Sequence, residues 1–449
     1  MADARQGISL FTGAGIGDLG FRAAGVDLRV MSELEPDRAS LARVNFPSAT
    51  MVVGDIRHAG DTIVKAAREV LDGECFLLSI TAPCQGMSRN GKGKLLALIR
   101  DGRRPELDPR NRLVLPALEV VKALRPRWVF FENVSEMANT VIKDNRGAGS
   151  LILDVIRETL EPDYAGRAYD LEFADFGVPQ RRRRLLTIYT RSDAGRRHLA
   201  AGGEFVPPAT HAKSPCDGRR PWISVEEALA GFPPLDASTP GSASDLSIPF
   251  HRVPLLDARK YEWVRATPPS RSAFDNQCAS CGFDDNAAHG ASRDRLGVNR
   301  AHSTTPILCQ SCGALLPRPH VVDESGRPRI MKGYTSAYKR MRADLPAPAL
   351  TRNLSYACSD QKLHPSENRV LSLAEAFRLH SLDRYQYAWG PVTTRSGKRR
   401  PIAPDSLIRL ALGESIPPMI NELVLQHISL IEEGAAAPAP GQSALHASG

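Results

Sequence analysis

The residues of this chain that can do chemistry fall into four sets. Cys84 lies in Thr81-Ala82-Pro83-Cys84-Gln85-Gly86-Met87-Ser88, directly after the apolar run Cys75-Phe76-Leu77-Leu78-Ser79-Ile80. A short apolar run of this kind reads as a buried strand. Pro83 cannot donate to a sheet ladder, so it stops the strand and leaves Cys84 in the loop at its carboxyl end. A thiol there can be a nucleophile if its thiolate is stabilised. A lone cysteine is more often a small buried residue, so its neighbours must decide. Glu132 follows a second apolar run, Trp128-Val129-Phe130-Phe131, and is the natural acid partner. Four arginines, Arg181 to Arg184, precede Leu185-Leu186-Thr187-Ile188-Tyr189. Such a run is usually a solvated or phosphate-binding patch. If it begins a strand, alternation sends Arg182 and Arg184 into the site and Arg181 and Arg183 elsewhere.

The third set is a glycine loop. Residues 8–25 read as strand, loop and helix, with Gly13, Gly15 and Gly17 allowing a tight turn and close approach to a ligand. The loop N–H groups and the helix start then face an anionic group. Glu33 follows Gly13 by 20 residues, where a second strand end meets ribose hydroxyls. Asp55 ends a third strand and is positioned to accept from an adenine amine. Either acid alone is more often a surface or capping residue; acids at successive strand ends favour a bound nucleoside. The fourth set is Cys278-x-x-Cys281 and Cys309-x-x-Cys312, each pair followed by glycine. Two such turns facing each other supply the four thiolates of a structural zinc. The 27 residues between the pairs exceed the usual spacing, so an insertion carrying His289 and His302 must loop out. Redox pairs are the rival, but no thioredoxin-like pattern adjoins them, and the two histidines read as ordinary loop residues.

These groups need elements to hold them. Strand and helix alternate over residues 8–135, with helical patterns at 113–124 and 151–160, which argues for a doubly wound, mostly parallel α/β sheet. Ligands of such sheets bind at the carboxyl ends of the strands. The glycine-rich basic stretch 88–94 reads as a loop over the site. From about 195 proline and glycine rise and the periods weaken, so residues 195–345 read as a separate irregular domain. That segment carries 20 Lys and Arg against 15 Asp and Glu, most of the net charge of +8, which suits a nucleic-acid face. Residues 346–433 return to compact patterning, with Ser372 as N-cap and Glu375 as its capping-box partner. The tail from Gly434 reads as disordered. A chain of 449 residues with 42% hydrophobic and 24% charged residues is an ordinary soluble protein, and no apolar run reaches transmembrane length. The start has no signal-peptide pattern, and eight cysteines, four of them in Cys-x-x-Cys pairs, suit a reducing compartment. A cytoplasmic protein is expected.

Taken in order, these pieces resemble the cytosine-5 DNA methyltransferase family over residues 7–190 and 346–431. Phe11-Thr12-Gly13-Ala14-Gly15 is similar to its cofactor loop, Pro83-Cys84-Gln85 to its nucleophile motif and Glu132-Asn133-Val134 to its acid motif. Gln180-Arg181-Arg182-Arg183-Arg184 fits its Gln-x-Arg-x-Arg. His364-Pro365 with Arg369-Val370-Leu371-Ser372, and Gly413-Glu414-Ser415-Ile416-Pro417-Pro418, resemble its last two motifs. Four positions depart: Ser9 for Asp, Ile16 for Gly, Leu34 for an aromatic residue, and Glu414 for Asn. Glu414 bears most on function, because an added carboxylate near the cofactor can weaken its binding or alter which cofactor is accepted.

The resemblance implies a Rossmann-like catalytic domain (1–194 and 346–433) around a target-recognition domain (195–345). It implies S-adenosylmethionine as cofactor, double-stranded DNA as substrate, and a monomer acting alone or beside a restriction endonuclease. Cys84 would attack C6 of a flipped cytosine, Glu132 would hold N3 and the amino group, and Arg184 the O2, with Arg182 bracing. Phe11, Thr12, Gly13, Gly15 and Ile16 would line the cofactor with Glu33 and Leu34. Asp55, Ile56, Pro83 and Leu113 would close its adenine end, and Ser415 and Ile416 return to it. Gln85, Ser88 and Gln180 would contact the flipped nucleotide. Two rival readings stand beside this one: the same chemistry on RNA, and a catalytically silent zinc-dependent DNA-binding protein.

Overall fold

The computed structural model describes residues 5–83, 108–143, 149–161, 163–215, 217–293, 299–302, 304–331 and 335–435. The readings placed on Cys84, Gln85 and Ser88, on the loop 88–94 and on the tail beyond 435 fall outside these residues.

Alternation of strand and helix builds one seven-stranded sheet. Its strands are β1 (Arg5–Leu10), β2 (Val26–Glu33), β3 (Thr50–Val53), β4 (Leu77–Ile80), β5 (Trp128–Asn133), β6 (Ala165–Glu172) and β7 (Arg183–Thr190). They lie in the order β3-β2-β1-β4-β5-β7-β6. The first five run parallel, and β7 is antiparallel to both β5 and β6. The expected doubly wound, mostly parallel sheet is the one observed. The strand order reverses between β1 and β4, so the crevice at that switch point lies above the carboxyl ends of β1 and β4.

Both faces are covered, and the period of two divides each strand between two cores. Trp128 and Phe130 of β5 join one core, which also holds Phe21, Leu186 and Ile420. Val129 and Phe131 join the other, with Ile63, Leu118 and Ile156. Helices α1 (Asp18–Ala23) and α2 (Pro36–Asn45) cover the first face; α3 (Ile56–Val70), α4 (Val114–Leu124) and α5 (Ile152–Leu160) cover the second.

The cover of the first face is completed from the far end of the chain. Helices α6 (Asp193–Ala200), α7 (Val225–Leu229), α8 (Leu373–Leu379), α9 (Asp405–Glu414) and α10 (Pro418–Glu432) contribute to it, while the helix Ala258–Arg265 lies in the smaller core described below. Helix α10 lies on α1, and it comes so close that a Cβ at Gly20 would sit 2.0 Å from the Pro418 carbonyl oxygen. Asn421 Nδ2 donates to the Gly17 carbonyl at 2.9 Å. Helix α8 carries the expected capping box between Ser372 and Glu375, and Glu375 also takes both arms of the buried Arg369 at 2.7 Å.

Packing does not break where composition does. Phe205, Val206, Val225, Ala228 and Leu229 lie beyond residue 195 yet belong to the first core. A separate small core forms further on, around Trp263, Phe274 and Tyr338, and takes in Leu363 and Val370 from the returning chain. The proline-rich composition of 201–234 therefore marks short elements, with the packing continuous. No helix among the described residues is long and apolar enough to cross a membrane.

Candidate active site

Strand register alone brings the candidate groups to one edge. Ile80 pairs with Phe131, so Glu132 and Asn133 sit just past the end of β4, beside Thr81 to Pro83. Asn133 Nδ2 donates to the Ala82 carbonyl at 3.1 Å, and Thr81 Oγ1 donates to the Phe11 carbonyl at 2.8 Å. The backbone that leads into Cys84 is thus tied to β5 on one side and to the glycine loop on the other. The acid motif contains Asn133, but its bond to Ala82 shows only in the structure.

Glu132 pairs directly with Leu186 across the β5–β7 ladder, and Arg184 is two residues from Leu186. Partners across a ladder and residues two apart share a face, so Arg184 reaches Glu132, its Nε 3.0 Å from Oε1. Glu132 is nearly fully buried. Burial raises its carboxyl pKa, against the opposing charges of Arg184 and Arg182. The alternation expected of the arginine run holds throughout. Arg183 pairs with Asp170 at 2.9 Å, and Arg181 lies over the Trp222 ring and near Glu172.

Arg182 points inward and does not reach Glu132 directly. Its Nη1 donates to the Leu350 carbonyl at 2.9 Å and its Nη2 to the Gly413 carbonyl at 3.2 Å. Gln180 departs from the nucleotide contact expected of it. It is wholly buried; its Nε2 donates to the Leu379 carbonyl at 3.2 Å and its Oε1 accepts from Leu350 N at 3.1 Å. Residues 180–181 also pair with Ala347–Pro348, the point where the chain returns to the sheet. Two residues unmarked by any motif extend this clamp. Lys362 donates from inside the protein to the Ala349 carbonyl at 2.9 Å. His380, fully buried and held neutral, lies between Gln180 and Ser415, 2.9 Å from the Ser415 hydroxyl. Ser415 Oγ also lies 3.2 Å from the Leu412 carbonyl, to which it donates. The arginine motif thereby binds the returning chain, α8 and the last motif into one piece.

The glycine loop sits over the switch point. Phe11, Gly13 and Gly15 all have positive φ, at 59°, 58° and 76°. A Cβ at Gly15 would meet the Phe46 ring at 2.9 Å, whereas one at Gly13 would meet nothing within 4 Å, so space is left on the open side of the loop. Below it, Asp18 accepts from the Ser9 hydroxyl at 2.8 Å and from the Thr12 hydroxyl, and burial pushes its pKa up to about 6. Glu33 ends β2; its Oε2 accepts from Gly13 N at 2.9 Å and its Oε1 from Glu35 N at 2.9 Å. Asp55 caps α3, accepting from Arg57 N at 3.0 Å, and the Arg57 guanidinium holds its pKa at about 2.

The remaining candidates divide by burial. Ile16 turns its side chain into the first core, so only its backbone faces the loop. Ile56 is buried under Asp55, Leu34 is 54% exposed, and Leu113 and Pro83 are half-buried. Ile416 packs against Gly17 at the side of the loop. These groups fit a bound nucleoside: an open glycine turn, a carboxylate at the next strand end, and a third acid beyond it. The last motif closes one side.

Far from this edge, Cys278, Cys281, Cys309 and Cys312 bring their sulfurs within 4.8 Å of one another. Sγ–Sγ distances are 3.6 Å for Cys278–Cys312 and 3.7 Å for Cys281–Cys309. A tetrahedral ion with metal–sulfur bonds of about 2.3 Å needs sulfurs about 3.8 Å apart, so the set fits such an ion. The turns repeat each other: Gly282 N donates to the Cys278 carbonyl and Gly313 N to the Cys309 carbonyl, with φ near 73° and 72°. His289 stacks on Phe274 and bonds Thr305, and neither it nor His302 joins the thiol set.

A family model described as C-5 cytosine-specific DNA methylase matches residues 6–215. The chain is 28% identical over 439 residues to the type II methyltransferase M1.HgaI of Avibacterium volantium, covering 94% of this chain and 98% of that one. It is 32% identical over 257 residues to the type II methyltransferase M.AquIA of Picosynechococcus sp., covering 54% of this chain and 93% of that one. Among solved structures, a DNA modification methyltransferase encoded within an E. coli prophage matches with a TM-score of 0.50 at 18% identity, covering 95% and 99% of the two chains. At that identity the likeness speaks to the fold.

Proposed function

This chain belongs to the C-5 cytosine-specific DNA methylase family, and we propose that it methylates carbon 5 of a target cytosine in double-stranded DNA. The observation that carries the reading is the Glu132–Arg184 pair, buried at the sheet edge beside the backbone that leads into Cys84. A DNA-binding protein without catalysis has no use for a raised-pKa carboxyl there.

A cytosine inside a duplex is out of reach, so the base is flipped into the pocket. Cys84, as thiolate, adds to C6 and forms a carbon–sulfur bond; the electron pair of the C5–C6 double bond makes C5 nucleophilic. Glu132 bonds N3 and the amino group, and its raised pKa suits it to give N3 a proton as charge builds there. Arg184 holds O2 and keeps Glu132 oriented, while Arg182, through the Leu350 and Gly413 carbonyls, ties the returning chain and the last motif to the strand that carries Arg184. The glycine loop, Glu33, Asp55 and the Ser415–Ile416 turn would hold S-adenosylmethionine, which would supply the methyl group to C5. Loss of the C5 proton then lets the carbon–sulfur bond break and returns Cys84. The four thiols hold a structural zinc, and residues 195–345 around it read the DNA sequence, in a restriction-modification or stand-alone modification setting.

The test is a covalent adduct. With S-adenosylmethionine and zinc, wild-type protein should form an SDS-stable complex with 5-fluorocytosine duplex DNA drawn from a broad sequence pool, and Cys84→Ala should form none. A protein that never forms the adduct removes the enzyme reading. Methyl transfer to tRNA in preference to duplex DNA moves the substrate to RNA.

A further inference from the structure

Glu414 stands where the family pattern has asparagine, and the structure gives it a partner. It is the last residue of α9, where a carboxylate meets the negative end of the helix dipole and is disfavoured without a counter-ion. Its place is fixed by backbone: a Cβ at the adjoining Gly413 would lie 2.1 Å from Arg352 N, and Arg182 holds the Gly413 carbonyl. The counter-ion is Arg38, in the first turn of α2. One arm of its guanidinium, Nη1, donates to Glu414 Oε2; the other, Nη2, lies 2.9 Å from Glu33 Oε1. The three side chains are 19% (Arg38), 6% (Glu33) and 33% (Glu414) exposed, so they are only partly screened by solvent.

We propose that Arg38 is a positioning residue for the cofactor, shared between Glu33 and Glu414 so that Glu33 keeps an oxygen available to the ribose hydroxyls. The inference rests on the S-adenosylmethionine reading of this site. Among the described residues, Glu33 Oε1 accepts from Glu35 N and Arg38, while Oε2 accepts from Gly13 N alone. A carboxylate oxygen has two lone pairs, so Oε2 retains one. Arginine favours a two-pronged grip on a carboxylate. Glu414 occupies the second prong and prevents Arg38 from closing on both oxygens of Glu33. Without Arg38, Glu33 and Glu414 would face each other as uncompensated like charges.

The arrangement predicts a reversal that an ordinary structural bridge does not. Calorimetric binding of S-adenosylmethionine and S-adenosylhomocysteine should weaken roughly tenfold in Glu414→Asn, because Arg38 then closes on Glu33. It should weaken by a similar factor in Arg38→Met, through carboxylate repulsion. The double variant should return to within about threefold of wild type. Circular-dichroism melts of the unliganded proteins check that all three fold. A double variant as weak as either single, or a Glu414→Asn protein that binds as wild type does, overturns the proposal. A wild-type chain that binds neither compound overturns the cofactor reading beneath it as well.

Discussion

At the carboxyl edge of the sheet, Glu132 stands on a strand hydrogen-bonded on both sides, between two apolar cores. The four thiols stand on two turns with little regular structure around them. Their apolar support is Cys278, Cys309 and Leu316, with Phe283 and Ala314 packed alongside. Within the insertion a wholly buried guanidinium, Arg318, donates to the carbonyls of Ala287 and Pro306 at 2.8 and 2.9 Å. One region is rigid before any ligand arrives and can hold a buried carboxyl at a raised pKa. The other buries little apolar surface, and the zinc proposed for it would supply ordering energy that its small core does not. Precision at the reacting groups comes from the ladder; in the module, on that proposal, it would come from coordination.

The two regions should therefore fail differently. Glu132→Gln should lower methyl transfer by about 10²–10³-fold, the range for one lost transition-state contact, with an unchanged melting temperature; single-turnover transfer to DNA measures the first and calorimetry the second. A matching loss of stability would mean that the edge is not pre-built. Cys309→Ser, or removal of the ion by chelation, should erase hydrogen-exchange protection around 278–318 and weaken DNA binding, while β1, β4 and β5 stay protected. Loss of protection across the sheet would show that the module is not separable from it.

The smallest effect lies at the junction. His364 belongs to the chain returning from the smaller core, and burial holds it at about 4. Its unfolded value lies near 6.5. Between these values the unfolded state binds the extra proton, so stability falls as pH drops from 6.5 toward 4. By pH 5 the loss should be on the order of 1–2 kcal/mol. His364→Asn, which can still accept from Ser366 and Glu367 N–H, should flatten that slope in denaturant titrations at pH 7 and pH 5.

What could be read in the sequence was local. Apolar runs ending in Pro83 and Glu132 placed both at strand ends, and a period of two told Arg182 and Arg184 from Arg181 and Arg183. The Cys-x-x-Cys-Gly repeat announced two like turns. What could not be read depends on side chains meeting distant backbone. The Asn133 bond to Ala82, the commitment of Gln180 to Leu350 and Leu379, and the sharing of Arg38 with Glu414 have no signature within a few residues. Asp55 also caps α3, which a lone acid before a helix commonly does. Composition also does not show that the proline-rich stretch after 195, which loses its periodicity, still packs side chains into the first core.

The close approach at Gly20 ties function to the order of synthesis. Helix α10 supplies the cover for α1, and Asn421 reaches Gly17 across 404 positions of sequence. Closing so long a loop is slow compared with forming the neighbouring strands. A nascent chain can align β1 to β5 on the ribosome, yet Ile416 and the helix behind it follow only after residues 195–345 have been made. Until then the glycine loop lacks one wall, so the growing polypeptide holds a sheet without a finished cofactor edge.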